Sequence, residues 1–185
     1  MKPLIPSLFA VLFLTFNARA EMPHDPPLRS LIYHPFAVSD KPSEDASEGD
    51  ARTLAEQQKV AVAILREITR TQDSLSSGLK EIEKLRQQQT EARNKPVSPG
   101  IQDVHDHLLK FQGGLVKPYR TALVLSIQAS NVTVRTQVDN VRDPTLLQNL
   151  KKQVEAQLSV LTRTADRVDE EINAFYKENP ELVTK

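Results

Sequence analysis

The chain has 185 residues with 24 basic and 24 acidic side chains, no cysteine, no tryptophan and only 5% aromatics. Balanced charge removes the electrostatic footprint of a nucleic-acid or membrane-surface binder, and the missing cysteine excludes disulfides, thiolate catalysis and zinc–sulfur sites. Five glycines and few aromatics are a poor supply for a ligand pocket but suit long helices, so the expected class is all-α and the expected cofactor set is empty.

Met1-Lys2-Pro3 is followed by an apolar run from Leu4 to Phe16 and then by Asn17-Ala18-Arg19-Ala20. A basic start, an apolar stretch of about a dozen residues and small residues before a cut are the layout of a secretory signal peptide, so residues 1–20 are expected to be removed. The run is too short to span a bilayer, which takes roughly 20 residues of helix. A periplasmic or secreted mature chain of 165 residues follows, with 22 basic and 24 acidic side chains, enough for one domain.

Residues 21–50 carry prolines at 23, 26, 27, 35 and 42 and a cluster of acids from Asp40 to Asp50. This composition predicts a disordered leader. One apolar island interrupts it: Leu28, Leu31, Ile32, Tyr33 and Phe36. These five are the candidate partner-binding residues, because an extended segment offers both backbone hydrogen bonds and side-chain plugs. The alternative is that the island folds back on the protein's own helices.

A first helix is expected over 51–93, capped by Ser47 or Asp50 and stopped by Asn94-Lys95-Pro96. Leu54, Gln58, Ala61, Leu65, Ile68, Gln72, Leu75, Leu79, Ile82 and Arg86 alternate spacings of four and three, the mark of a coiled-coil seam. Ser76-Ser77-Gly78 predicts a bend within it. A second helix, 99–141, should break near 113–118 at Gly113-Gly114 and Pro118, with Val104, Leu108, Phe111 and Leu115 facing inward before the break. Beyond it, Leu123, Ile127, Val134, Val138 and Val141 keep helical spacing, although the β-branched content also permits a hairpin over 123–138. The third helix, 144–178, has Asp143 as cap and Pro144 at its first position, and its seam runs Leu147, Leu150, Val154, Leu158, Leu161, Ala165, Val168, Ile172, Phe175. Short loops make these an elongated up-down-up three-helix antiparallel bundle with a tail at 180–185.

Chemistry has little to stand on. Cleavage after Ala20 would leave His24 fourth in the chain behind Pro23, which has no amide proton to give to an amino-terminal metal site. Asp103 and His107 share a helix face, whereas His105 and His107 point about 200° apart. Two ligands are too few for structural zinc. Asp166 and Asp169-Glu170-Glu171 read as a solvated face balanced by Arg163 and Arg167. Gly113-Gly114 is a weak phosphate-loop signal, and Asn131-Val132-Thr133 fits a glycosylation acceptor that a packed helix face would make unusable.

The sequence therefore predicts a non-enzymatic, exported helical adaptor or structural subunit that binds protein partners of an envelope assembly, such as a bacterial secretion or conjugation machine. Homo-oligomers through the helix seams are a further expectation. The alternative is a periplasmic chaperone or carrier of apolar ligands, using Val62, Leu85, Val124 and Leu125 off the main stripes.

Overall fold

The computed structural model describes residues 25–36 and 53–182, and every regular element among them is helical. Four α-helices follow in order: α1 (Leu54–Arg93), α2 (Gln102–Gly113), α3 (Val116–Val138) and α4 (Pro144–Glu178). Single 3-10 turns lie at Leu28–Leu31, Pro99–Ile101 and Pro180–Leu182. The expected signal peptide, the acidic stretch up to Asp50 with the candidate caps Ser47 and Asp50, and His24 lie outside the described residues.

α1 begins on a capping box at Thr53 rather than at either expected cap. Thr53 Oγ1 accepts from the Glu56 N–H, and the Glu56 carboxylate accepts from the Thr53 N–H at 2.9 Å. Two of the amide donors that a helix start leaves orphaned are thereby satisfied. α4 begins as expected, with Asp143 Oδ1 accepting from the Leu146 N–H at 2.7 Å and Pro144 in the first turn. Forty residues make α1 a rod of about 60 Å.

α1 is the shared spine, with α3 and α4 packed along it. Gln57 Oε1 accepts from the N–H groups of Arg142 and Asp143, Gly78 abuts Leu123, and Gln89 Nε2 donates to the Leu109 carbonyl, so α3 and α2 run antiparallel to α1. Gln72 meets Thr164, Glu83 meets Arg167 and Arg93 meets the Glu178 carbonyl, so α4 runs parallel to it. The architecture is the expected up-down-up helical bundle. Its second arm is divided into α2 and α3, and 123–138 is helix rather than hairpin.

The seam of α1 differs from the expected one. The buried residues are Gln57, Ala61, Ile64, Ile68, Thr71, Leu75, Gly78, Leu79, Ile82, Leu85 and Gln89, and all but Leu79 form one row in four-three alternation. The buried face shares Ala61, Ile68, Leu75, Leu79 and Ile82 with the expected row but replaces Gln58, Leu65, Gln72 and Arg86 by their neighbours on the other side, a rotation of about 50°. The rotation is favourable for the polar members. Gln72 moves to the flank, where its Nε2 donates to Thr164 Oγ1 at 2.8 Å, and Arg86 reaches the rim, where it pairs with Glu171 at 2.8 Å and with Glu178. Gly78 marks no bend: a Cβ there would lie 2.8 Å from Leu123 Cδ2, so its missing side chain lets α1 and α3 approach. Leu85, expected off the seam, is buried.

α4 carries its seam as expected from Leu150 to Phe175. The break between α2 and α3 lies at Gly114-Leu115, which puts Pro118 in the first turn of α3, where a missing N–H removes no intrahelical bond. Gly113 is buried under Leu182, so the turn after α4 uses that glycine as its seat.

Candidate functional site

Of the 21–50 leader, residues 25–36 form an ordered strap across α3 and α4, which corrects the expectation of disorder at those positions. The composition of the leader concealed this because the stabilising partners lie about a hundred residues away. Leu28 is fully buried and Ile32 nearly so, both within the bundle core, while Leu31, Tyr33 and Phe36 are half-buried against it. The five island residues are thus brought together, but on their own bundle.

Three side chains of α3 and α4 read the strap's backbone. Asn131 Oδ1 accepts from the Tyr33 N–H at 3.1 Å while its Nδ2 donates to the Leu31 carbonyl at 2.6 Å. Asp169 Oδ2 accepts from the Leu28 N–H at 2.7 Å. Arg120, itself almost buried, donates to the Pro26 carbonyl at 2.7 Å and to Asp25 at 2.9 Å, and its Nε lies 3.9 Å from Asp169. Arg135 caps the Tyr33 ring, 5.1 Å from its centroid. The Asn131 triplet is therefore spent on this clamp, and its amide is engaged on both sides.

Burial pushes the Asp169 carboxyl above the usual aspartate range, against the opposing pull of the Leu28 N–H and the Arg120 charge. The Tyr176 hydroxyl is likewise raised by burial. The acidic face of α4 is not balanced by Arg163 and Arg167 as expected. Asp169 holds the strap, Asp166 pairs with Arg29 of the strap at 3.7 Å, and Glu171 pairs with Arg86. Glu178 is held below the ordinary glutamate value by its hydrogen bond with Arg86.

α2 presents the second surface. Val104, Leu108 and Phe111, expected to face inward, are 62%, 56% and 70% exposed, and Ile101 just before them is 57% exposed; Leu115 alone of that stripe is partly buried. The correction has a geometric cause. α2 packs mainly on the end of α1 through the narrower row His105, Leu109 and Gln112, fixed by the bond from Gln89 to the Leu109 carbonyl and by His105 Nε2 at 3.2 Å from the Ala92 carbonyl. A helix packed chiefly on one neighbour buries one stripe, and here the polar-edged stripe supplies those two anchors. Val62 and Leu125, also exposed, stand apart on α1 and α3, and Val124 is partly buried.

His107 Nδ1 bonds to the carbonyl of Asp103 at 2.6 Å, and His105 turns toward α1. Among the described residues no group of three or more histidines and carboxylates could hold a metal ion, and no helix is long and apolar enough to cross a membrane. The space enclosed beneath Ile32 and Tyr33, about 10 Å³, has room for at most one water. Compared with known proteins, the chain matches no family model, no curated protein and no solved structure.

Proposed function

We propose that this protein is an exported, non-enzymatic helical adaptor, a structural subunit that joins protein partners in a periplasmic or cell-envelope assembly. The observation that supports this most is the row Val104, Leu108 and Phe111 on one face of α2, with Ile101 in the turn just before it: four large apolar side chains, each more than half exposed. Contiguous apolar surface of this kind is uncommon on a protein that works alone, and rows spaced three and four apart suit docking against another helix. The signal-like first twenty residues supply the address. The strap supports the same reading: it completes the core with Leu28 and Ile32 and leaves parts of Leu31, Tyr33 and Phe36 outside as a second contact surface.

The test is native separation of envelope complexes from the producing cell. The wild-type chain should begin at Glu21, fractionate with the envelope and run in a complex larger than itself, and a Leu108→Asp/Phe111→Asp variant should run free while keeping its helical circular dichroism. A wild-type chain that keeps residues 1–20 in the cytoplasm, or that runs alone, ends this reading. The same row would serve a chaperone, which differs by suppressing aggregation of unfolded clients at stoichiometric concentration.

A further inference from the structure

We propose that α2 is a hinged flap over the end of α1, held shut by the turn Pro180–Leu182 and able to leave α1 while the rest of the bundle stays folded.

The seat of α2 is shallow. Of its residues only Gly113 is buried, while Val104, Leu108 and Phe111 stay in solvent. Two side-chain bonds fasten the helix to α1, from Gln89 Nε2 to the Leu109 carbonyl at 2.8 Å and between His105 Nε2 and the Ala92 carbonyl at 3.2 Å. Each of those side chains strands its other polar atom. Gln89 Oε1 and His105 Nδ1 are buried without a hydrogen-bond partner among the described residues, and Asp106 Oδ1, 3.7 Å from His105 Nδ1, is too far to serve. An unpaired buried acceptor costs about as much as the neighbouring bond contributes. Opening hands both atoms to water and uncovers no fully buried apolar side chain of α2, so the closed state gains far less than two hydrogen bonds suggest.

The other end of the chain supplies what the seat lacks. Leu182 rests so closely on Gly113 that a Cβ at that position would fall on Leu182 Cδ1. Its turn is itself fixed to α1, because Arg93 donates to the Glu178 carbonyl at 2.7 Å and pairs with Glu181. Inside the turn the Leu182 N–H donates to the carbonyl of buried Asn179 at 3.0 Å. The turn therefore clips α2 against the ends of α1 and α4.

Both connections of α2 permit movement. Gly114-Leu115 is a two-residue pivot to α3, and residues 94–101, with Pro96, Pro99 and Gly100, reach about 27 Å when extended, against about 18 Å for α2 itself. Elements that move are joined by a few residues at their ends and carry few buried contacts. Opening bares Gln89 and Leu109 beside the row already exposed, so the turn after α4 sets how much of this end the bundle displays.

With no native cysteine, a single introduced thiol reports opening. In the full mature chain, Gln89→Cys beneath α2 should react with a thiol reagent at least about a hundredfold faster than Leu75→Cys in the core, since one waits for α2 and the other for the whole bundle. Adding Leu182→Ala should speed the Gln89→Cys reaction about tenfold and change that of Leu75→Cys less than about threefold. Gly113→Ala should act in the same direction by displacing Leu182, and the two changes together should do no more than the larger one alone, because they break one contact. The Gln89 anchor is missing from every member of that series, so the ratios isolate the latch. Amide exchange of wild-type Leu109 and Gln112 against Leu75 and Ile127 repeats the comparison with the anchor in place. Equal protection at the two sites, by thiol and by amide, would mean that α2 leaves only when the bundle unfolds and would overturn the proposal. Fast reaction at position 89 that neither Leu182→Ala nor Gly113→Ala accelerates would overturn it as well, because the turn would then hold nothing. Neither result bears on the envelope complex, which the Leu108→Asp/Phe111→Asp variant tests separately.

Discussion

Replacing Leu28 by alanine tests whether the strap is a structural member of the bundle or an ornament on it. Leu28 has no exposed surface and belongs to the apolar cluster that the helices form, in a turn packed on α4 and α3 with its N–H held by Asp169. Leucine-to-alanine changes at fully buried sites cost about 2.7–5 kcal/mol, the spread depending on how far the walls relax. Here one wall is a strap of a dozen residues that can settle inward, which places the cost at the lower end, about 2–3 kcal/mol. With a urea dependence of about 2–3 kcal/mol per molar for a domain of this size, the unfolding midpoint should fall by about 1 M. The cost is bounded by the docking free energy of the whole strap, so a chain lacking residues 25–36 sets its ceiling. Far-ultraviolet circular dichroism in urea measures both, and Leu31→Ala, at a half-exposed position, should cost less than about 1 kcal/mol. Midpoints for Leu28→Ala and the strap deletion within about 0.2 M of wild type would refute the claim that the strap closes the core.

Three further outcomes follow from the same geometry. Asn131→Ala should destabilise by about 2 kcal/mol, since it orphans the Tyr33 N–H and the Leu31 carbonyl together, and Asn131→Asp should cost more because it turns the donor facing Leu31 into a charged acceptor; thermal melting reads both. Gly78→Leu should cost about 3 kcal/mol by driving its side chain into Leu123, whereas Gly78→Ala should be nearly neutral, its gain in helix propensity offset by displacement of the leucine tip; equilibrium unfolding separates them. Arg86→Ala should lower stability by about 1 kcal/mol or less at neutral pH, because both partners are partly solvated. The Glu178 carboxyl is depressed in the folded state, so its contribution is present above the ordinary glutamate value and disappears as pH falls through the depressed one. Melting curves of wild type and Arg86→Ala should therefore converge in acid, and a gap that stays constant or widens there would contradict the pairing.

Elements whose signals are local were legible in the chain itself. Asp143-Pro144 starts α4 because a side-chain acceptor and a residue without an N–H satisfy the helix end within four positions, and the α4 seam from Leu150 to Phe175 follows from apolar periodicity alone. The three-helix order follows from loop lengths. Thr53-x-x-Glu56 was equally readable as a capping box, although the helix start was expected a few residues earlier.

What tertiary structure alone decided concerns choices among near-equivalent faces. On α1, the rows containing Leu65 and Ile64 have the same four-three spacing; Gly78 meeting Leu123 and Gln72 meeting Thr164 select one, and both contacts join residues dozens of positions apart. On α2 the more apolar stripe lost to the one whose residues could reach the Gln89 side chain and the Ala92 carbonyl, so Phe111 points outward. The strap is the clearest case. Asn131, Asp169 and Arg120 have unremarkable settings in sequence, and only folding brings them to the backbone of residues 26–33, where their hydrogen bonds offset the entropy of ordering a proline-rich segment. Periodicity fixes that a helix has an apolar side, but which side is buried is set by the neighbours available to it.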